Sequence, residues 1–218
     1  MLNRHWKLHR LLLLSQLHKL GIEKSLVSWD KQFSFQLDRD SFLMHDNNEE
    51  FLKLITETSS LLDIQDLTKI AGFGFENKEI YLNTYLSIVT ESIFFQEHED
   101  FPSGYLSEKV WKPILHEKPF IILGPKFAHK HLLEHFGIKP YTDLFNYEFD
   151  TLGYPEKLHS IKEKNLDRLL NMNINELNDI VNSDSMKEQM AYNKSQLLAY
   201  SETERDGDRI PIEKYTYD

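Results

Sequence analysis

The chain has 218 residues, 40% hydrophobic and 28% charged, enough to bury one core comfortably. Its 25 basic and 35 acidic residues give a formal charge of −10, which argues against a nucleic-acid backbone or an anionic membrane as main partner, although an acidic whole can still hold a local basic site. The absence of cysteine excludes disulfides and thiolate chemistry and is compatible with a cytoplasmic location.

From the amino terminus, His9 to Leu20 reads as an amphipathic helix closed by Gly21, and Leu26 to Trp29 as a short strand. Leu11 to Leu14 follows Arg4, Lys7 and Arg10 as a signal peptide's apolar run would, but Ser15 and Gln16 end it too early, and no other segment approaches a membrane span. Asp30 to Phe42 reads as irregular connection. Asn47 to Leu62 has helical spacing in Phe51, Leu54 and Ile55, and Asp63 to Asn77, with Gly72 and Gly74, reads as a loop over a site. Tyr85 to Thr90 is a strand candidate that ends at Glu91, and the acidic stretch Gln96 to Asp100 reads as a lid or surface excursion.

The most informative segment is Ser107 to Pro125, SEKVWKPILHEKPFIILGP. Ser107 is a good N-cap, and Val110, Trp111, Ile114 and Leu115 give the following helix one apolar face. Trp111, in phase with Ile114 and Leu115, belongs to core packing and not to a ligand site. Pro113 removes one helical hydrogen bond and predicts a kink. Glu108 and Lys109 sit in the first turn, where free backbone N–H groups and the helix dipole favour an anion such as a phosphate. Phe120 to Leu123 is an apolar run closed by Gly124 and Pro125, as expected of a strand buried on both faces. The order is strand, loop, helix, strand. It predicts an α/β fold with Glu91, Glu108 and Lys109 near the carboxyl ends of the strands, where open α/β sheets bind ligands. Lys126 to Phe136 is a further helix ending at Gly137, Pro155 to Met172 begins another, Ile174 to Tyr200 is a long polar helical stretch, and Glu202 to Asp218 reads as a flexible tail.

These residues resemble the carboxyl-terminal, donor-binding domain of GT-B glycosyltransferases of the α1,3-fucosyltransferase-like type, including phage and bacterial relatives. In that family a strand ending in Glu is followed by a loop, a Tyr-x-[Ser/Thr]-Glu-Lys-x-Trp segment, an apolar strand and Gly-Pro. The corresponding residues here are Glu91, Tyr105, Ser107, Glu108, Lys109, Trp111, Gly124 and Pro125. The segment Phe136 to Asp150 and the opening Asn3, Arg4, His9 and Arg10 also look like their counterparts, so the resemblance covers residues 3–150 in pieces. It implies a Rossmann-like parallel sheet with flanking helices over residues 1–154, C-terminal helices packing on the same domain over 155–201, and a tail over 202–218. A nucleotide-binding domain of this type opens on a buried strand, and with only Met1 and Leu2 before Asn3 the expectation is that this strand is cut. A GT-B enzyme also needs an amino-terminal acceptor domain. The expectation is therefore a fragment, a split gene product or a stand-alone donor-binding domain.

The implied chemistry is metal-independent displacement of a nucleoside diphosphate from a sugar, GDP-sugars being favoured, by a hydroxyl of a glycan-type acceptor. Charge growing on the leaving diphosphate would be met by Arg10 and Lys109. Asn3, Glu91, Tyr105, Ser107 and Glu108 would complete the donor site, with Glu91 orienting substrate and the general base left to the acceptor domain. No cofactor is implied. Read without the resemblance, Glu108 and Lys109 also fit a solvated first turn, and Arg10 fits a stem covering an apolar face. Asp38-Arg39-Asp40 matches an Asp-x-Asp metal signature by chance, and His129, His131 and His135 lack the carboxylate of a metalloprotease motif and read as a solvated helix. Two other functions stay open: a noncatalytic nucleotide-sugar-binding module without an acceptor domain, and a protein-interaction scaffold built on the polar helices after Pro155.

Overall fold

The computed structural model describes Leu2, Asn3, Leu13, Ser28, Trp29 and residues 81–91, 106–153 and 156–202, with Leu2, Asn3, Ser28, Trp29, Glu108, Ser201 and Glu202 as backbone only. Outside the described residues lie Arg10, Tyr105, the Asp38–Asp40 triplet, most of the His9–Leu20 helix, the 30–42 connection, the 47–62 helix, the 63–77 loop, the 96–100 loop and residues 203–218.

The fold is mixed α/β. Two short strands near the amino terminus, β1 (Leu2–Asn3) and β2 (Ser28–Trp29), pair in parallel. A second parallel pair joins β3 (Ser87–Thr90) and β4 (Phe120–Leu123), with Ile88 opposite Ile121 and Thr90 opposite Leu123. The helix α1 (Glu108–Leu115) lies between them in sequence and packs on both strands, so β3, α1 and β4 form one βαβ unit. All four residues of β4 are at most 2% exposed, as the uninterrupted FIIL run requires. The strand expected from Tyr85 is shorter and begins at Ser87.

Helix α1 buries Val110, Trp111, Ile114 and Leu115 and carries Pro113 in its interior. Leu13, inside a helix, joins the same core with no exposed surface. Helix α2 (Ala128–Phe136) ends where Gly137 takes φ +69, and the amides of Gly137 and Ile138 close on the carbonyls of Leu133 and Leu132. The connection from Ile138 to Phe149 buries Ile138, Tyr141, Leu144, Phe145 and Phe149. Its backbone is satisfied by two fully buried amides: Asn193 takes the Lys139 N–H and donates to the Lys139 carbonyl, and Asn165 does the same for Asn146.

After a 3-10 turn at Glu148–Thr151, α3 (Glu156–Ile161) runs through a π turn (Lys162–Leu166) into α4 (Asp167–Asn171). The neighbouring residues Asn165 and Leu166 are both buried in that wider turn. The polar stretch expected as one helix is two, α5 (Ile174–Val181) and α6 (Asp184–Glu202). The break follows from Asn182 ending one helix and Ser183 Oγ accepting the Met186 N–H at 3.3 Å to start the next. Met186, Met190, Asn193 and Leu197 form a narrow buried stripe that lays α6 against α1 and α2. Among the described residues no helix is long and apolar enough to cross a membrane.

Gly124 closes β4 against Glu91, the residue that follows β3. A Cβ at this position would stand 3.2 Å from Glu91 Cβ and 3.0 Å from Ile122 Cγ2, both inside ordinary van der Waals contact. Gly124→Ala should therefore cost about 1–3 kcal/mol, the range for overpacking a core, read as a lower urea midpoint with unchanged slope.

Candidate functional site

The carboxyl ends of β3 and β4 and the start of α1 bring Glu91, Ser107 and Lys109 together. Glu91 follows β3 directly, donates its N–H to the Leu123 carbonyl at 2.9 Å and is 1% exposed. Its Oε1 accepts the Ser107 N–H at 2.8 Å and the Ser107 hydroxyl at 3.0 Å. Ser107 Oγ in turn accepts the Lys109 N–H at 3.4 Å, the N-cap bond, and the Lys109 ammonium at 3.1 Å. The three side chains make a relay from buried carboxylate through hydroxyl to half-buried ammonium.

This arrangement changes the expected chemistry of the helix start. The Lys109 amide is capped by Ser107 and the Val110 N–H bonds the Ser107 carbonyl at 3.0 Å, so these backbone donors are already used. Among the described residues, the side-chain cation at this helix start is the Lys109 ammonium. Glu91, 1% exposed, orients Ser107. Among the other expected residues, Asn3 lies in β1, whose backbone approaches β3, and Glu108 is the first residue of α1. Arg10 and Tyr105 lie outside the described residues.

A second buried cluster stands behind the β4 terminus. Lys157, on α3 and 2% exposed, donates its ammonium to the carbonyls of Gly124 at 3.1 Å and Pro125 at 2.9 Å. Burial pulls its pKa down to about 8, with Lys126 adding to the fall and Asp150 opposing it. Asp150 accepts the first-turn amides of α2, His129 N–H at 3.2 Å on one oxygen and Lys130 N–H at 3.0 Å on the other. The α2 start thus already holds a carboxylate. Burial pushes the Asp150 carboxyl up from its usual range, against the pull of those amides and of Lys157.

His129 is the clearest departure from expectation. It is not part of a solvated helix face but 6% exposed, with Nε2 accepting the Ile122 N–H of β4 at 2.9 Å. The acceptor role requires the neutral ring protonated on Nδ1, and burial with the Lys157 charge holds the pKa down at about 3. His131 and His135 lie 4.2 Å apart by ring centroids, and no group of three or more metal-ligating side chains gathers among the described residues. Phe127 precedes α2 at φ +62, rare for a bulky residue, with its N–H on the Asp150 carbonyl at 2.7 Å and the Lys130 ammonium 5.6 Å from its ring. Sequence reasoning passed over Lys157 and Asp150, whose partners lie 32 and 20 positions away, and no local pattern announces either.

No family model, curated protein or solved structure matches the chain. The functional reading therefore rests on the residues and their geometry.

Proposed function

We propose that the chain is a glycosyltransferase or its donor-binding half, with a Rossmann-like, GT-B-type fold. It would bind a nucleoside-diphosphate sugar, GDP-linked by preference, and serve transfer to a glycan-type hydroxyl. The observation that carries this reading is the relay Glu91, Ser107, Lys109 at the carboxyl ends of a parallel strand pair, in the chain order of the resembled motif. The location is where α/β sheets place ligands, and the ammonium is the group a leaving diphosphate needs. Lys109 gives a point charge on a flexible stem, able to leave Ser107 Oγ for a phosphate oxygen and follow it as charge develops. Arg10, by its place in the resembled motif, would supply a second, bidentate cation. Ser107 and Glu91 set the direction from which the lysine approaches.

Calorimetric titration with GDP, UDP, CDP and their sugar conjugates tests the reading. Saturable binding of one base is expected. Lys109→Ala should weaken it roughly 10- to 100-fold, the loss of one charge-assisted bond in a partly open site. Binding unaffected by Lys109→Ala and by Arg10→Ala would remove the proposed site.

A further inference from the structure

We infer that Lys157, remote in sequence and closed to ligand, is the positioning residue that holds the Glu91–Ser107–Lys109 relay in place from behind. The Lys157 ammonium grips the Gly124 and Pro125 carbonyls. Gly124, lacking a Cβ, lies so close to Glu91 that a methyl group there would press on both Cβ and Cγ, at 3.2 and 3.3 Å. The carbonyl of Leu123, the residue before Gly124, accepts the Glu91 N–H at 2.9 Å, so a shift of the turn that closes β4 is passed to Glu91, and Glu91 Oε1 is the acceptor that fixes both the amide and the hydroxyl of Ser107. Ser107 Oγ receives Lys109. One buried cation thus governs the placement of another, half-buried one without touching it or its ligand.

A buried ammonium held by two carbonyls is an unusual choice for a merely structural bolt, because burying the charge is costly and an apolar side chain would fill the same space more cheaply. What the charge adds is a directed pull on two successive carbonyls of the turn that closes β4. The titratable and charged groups that face it are Asp150 on the 3-10 turn, His129 on α2 and Lys126 in the turn itself. His129 stays neutral through the neutral and alkaline range, since its pKa is about 3. Loss of the Lys157 proton, with its pKa of about 8, slackens the grip on Gly124 and Pro125.

The inference rests on the donor-binding reading for its meaning in function, but its test does not need a ligand. Amide hydrogen exchange on the full chain reads the Ser107 N–H, which Glu91 protects, against the Leu197 N–H in α6 as reference. In Lys157→Met the Ser107 amide should exchange at least tenfold faster with Leu197 unchanged, and Lys157→Arg, which keeps donors and charge, should restore most of the protection. Wild-type Ser107 exchange, corrected for its intrinsic pH dependence, should also lose protection between pH 6.5 and 9.5 with a midpoint near 8. Ser107 protection that is the same in Lys157→Met, or, should that variant not fold, flat across the pH range in the wild type, overturns the inference. GDP titration of the same proteins separates the two claims. An affinity at least fivefold lower in Lys157→Met supports both. Absence of GDP binding by the wild type, with Ser107 exchange responding as described, removes the donor-binding reading and leaves the positioning role of Lys157 standing.

Discussion

Acidification from pH 6.5 towards pH 3 should unfold the protein steeply, and replacing His129 by Gln should remove most of that slope. In the folded state the imidazole is buried and its Nε2 lone pair holds the Ile122 N–H, so it takes up a proton only near pH 3, whereas in the unfolded chain it does so near its ordinary value of 6.5. Between the two values the unfolded state binds more protons, so stability falls as pH falls across that window and is fully present above it. A gap of this size corresponds to about 5 kcal/mol at its upper bound, a large part of a domain's whole stability. Asp150 acts in the opposite sense: burial raises its carboxyl, so protonating it in acid favours the folded state and offsets part of the loss. The comparison of wild type with His129→Gln cancels the Asp150 contribution, because Gln retains an acceptor for the Ile122 amide and does not titrate. Urea unfolding at pH 7, 5.5 and 4 should show a wild-type midpoint that falls strongly and a variant midpoint that falls little. Parallel slopes for the two proteins would refute the account.

Asp150→Ala should destabilise at neutral pH by roughly 3–5 kcal/mol, the cost of breaking a buried charge network by removing one partner. Three losses combine in that number. The amides of His129 and Lys130 lose their acceptors at the start of α2, and the Lys157 ammonium keeps its burial but loses the carboxylate that favours its charge. The double variant Asp150→Ala, Lys157→Met should therefore be less unstable than the sum of the two single ones, because the second change removes the charge that the first left uncompensated. A coupling of about 1–2 kcal/mol is expected from denaturation of the four proteins in the cycle. Strict additivity would show that the two groups do not act on one another.

The parts of this fold that sequence anticipates are those whose causes lie within a few residues. The FIIL run gives β4 with its bounds intact, because four apolar residues between Pro119 and Gly124 have no other way to be buried. Ser107 caps α1 as read, since a hydroxyl two residues before the amide it accepts is a local signal. Trp111 is core, as its phase with Ile114 and Leu115 demands. The break at Asn182 and Ser183 was legible in the same way but hidden by the helical composition on both sides. What sequence leaves unread is long-range. Nothing near His129 says that its ring will meet a strand amide seven residues earlier, and nothing near Lys157 points to the Gly124 carbonyl. The relay at the site shows the division well. The Ser107 and Lys109 pairing follows from helix-start preference, while the burial of Glu91 beneath Ser107 appears only once Gly124 is packed beside it.

On the side of β4 turned away from β3, side chains take up ladder groups of the strand. Its Ile122 N–H is taken by an imidazole and its Phe120 carbonyl receives the Tyr147 hydroxyl at 3.4 Å, so two ladder positions are occupied by aromatic side chains where another strand would dock. A side chain answers one backbone group and offers none onward, so it plugs the ladder and does not extend it. Recruitment of a foreign strand at that margin, whether from a second copy or from a nascent chain, would first have to evict a buried imidazole and a partly buried phenol ring. The resistance to edge-to-edge growth is written into residues of the chain itself, and it weakens in acid as soon as the imidazole takes up its proton.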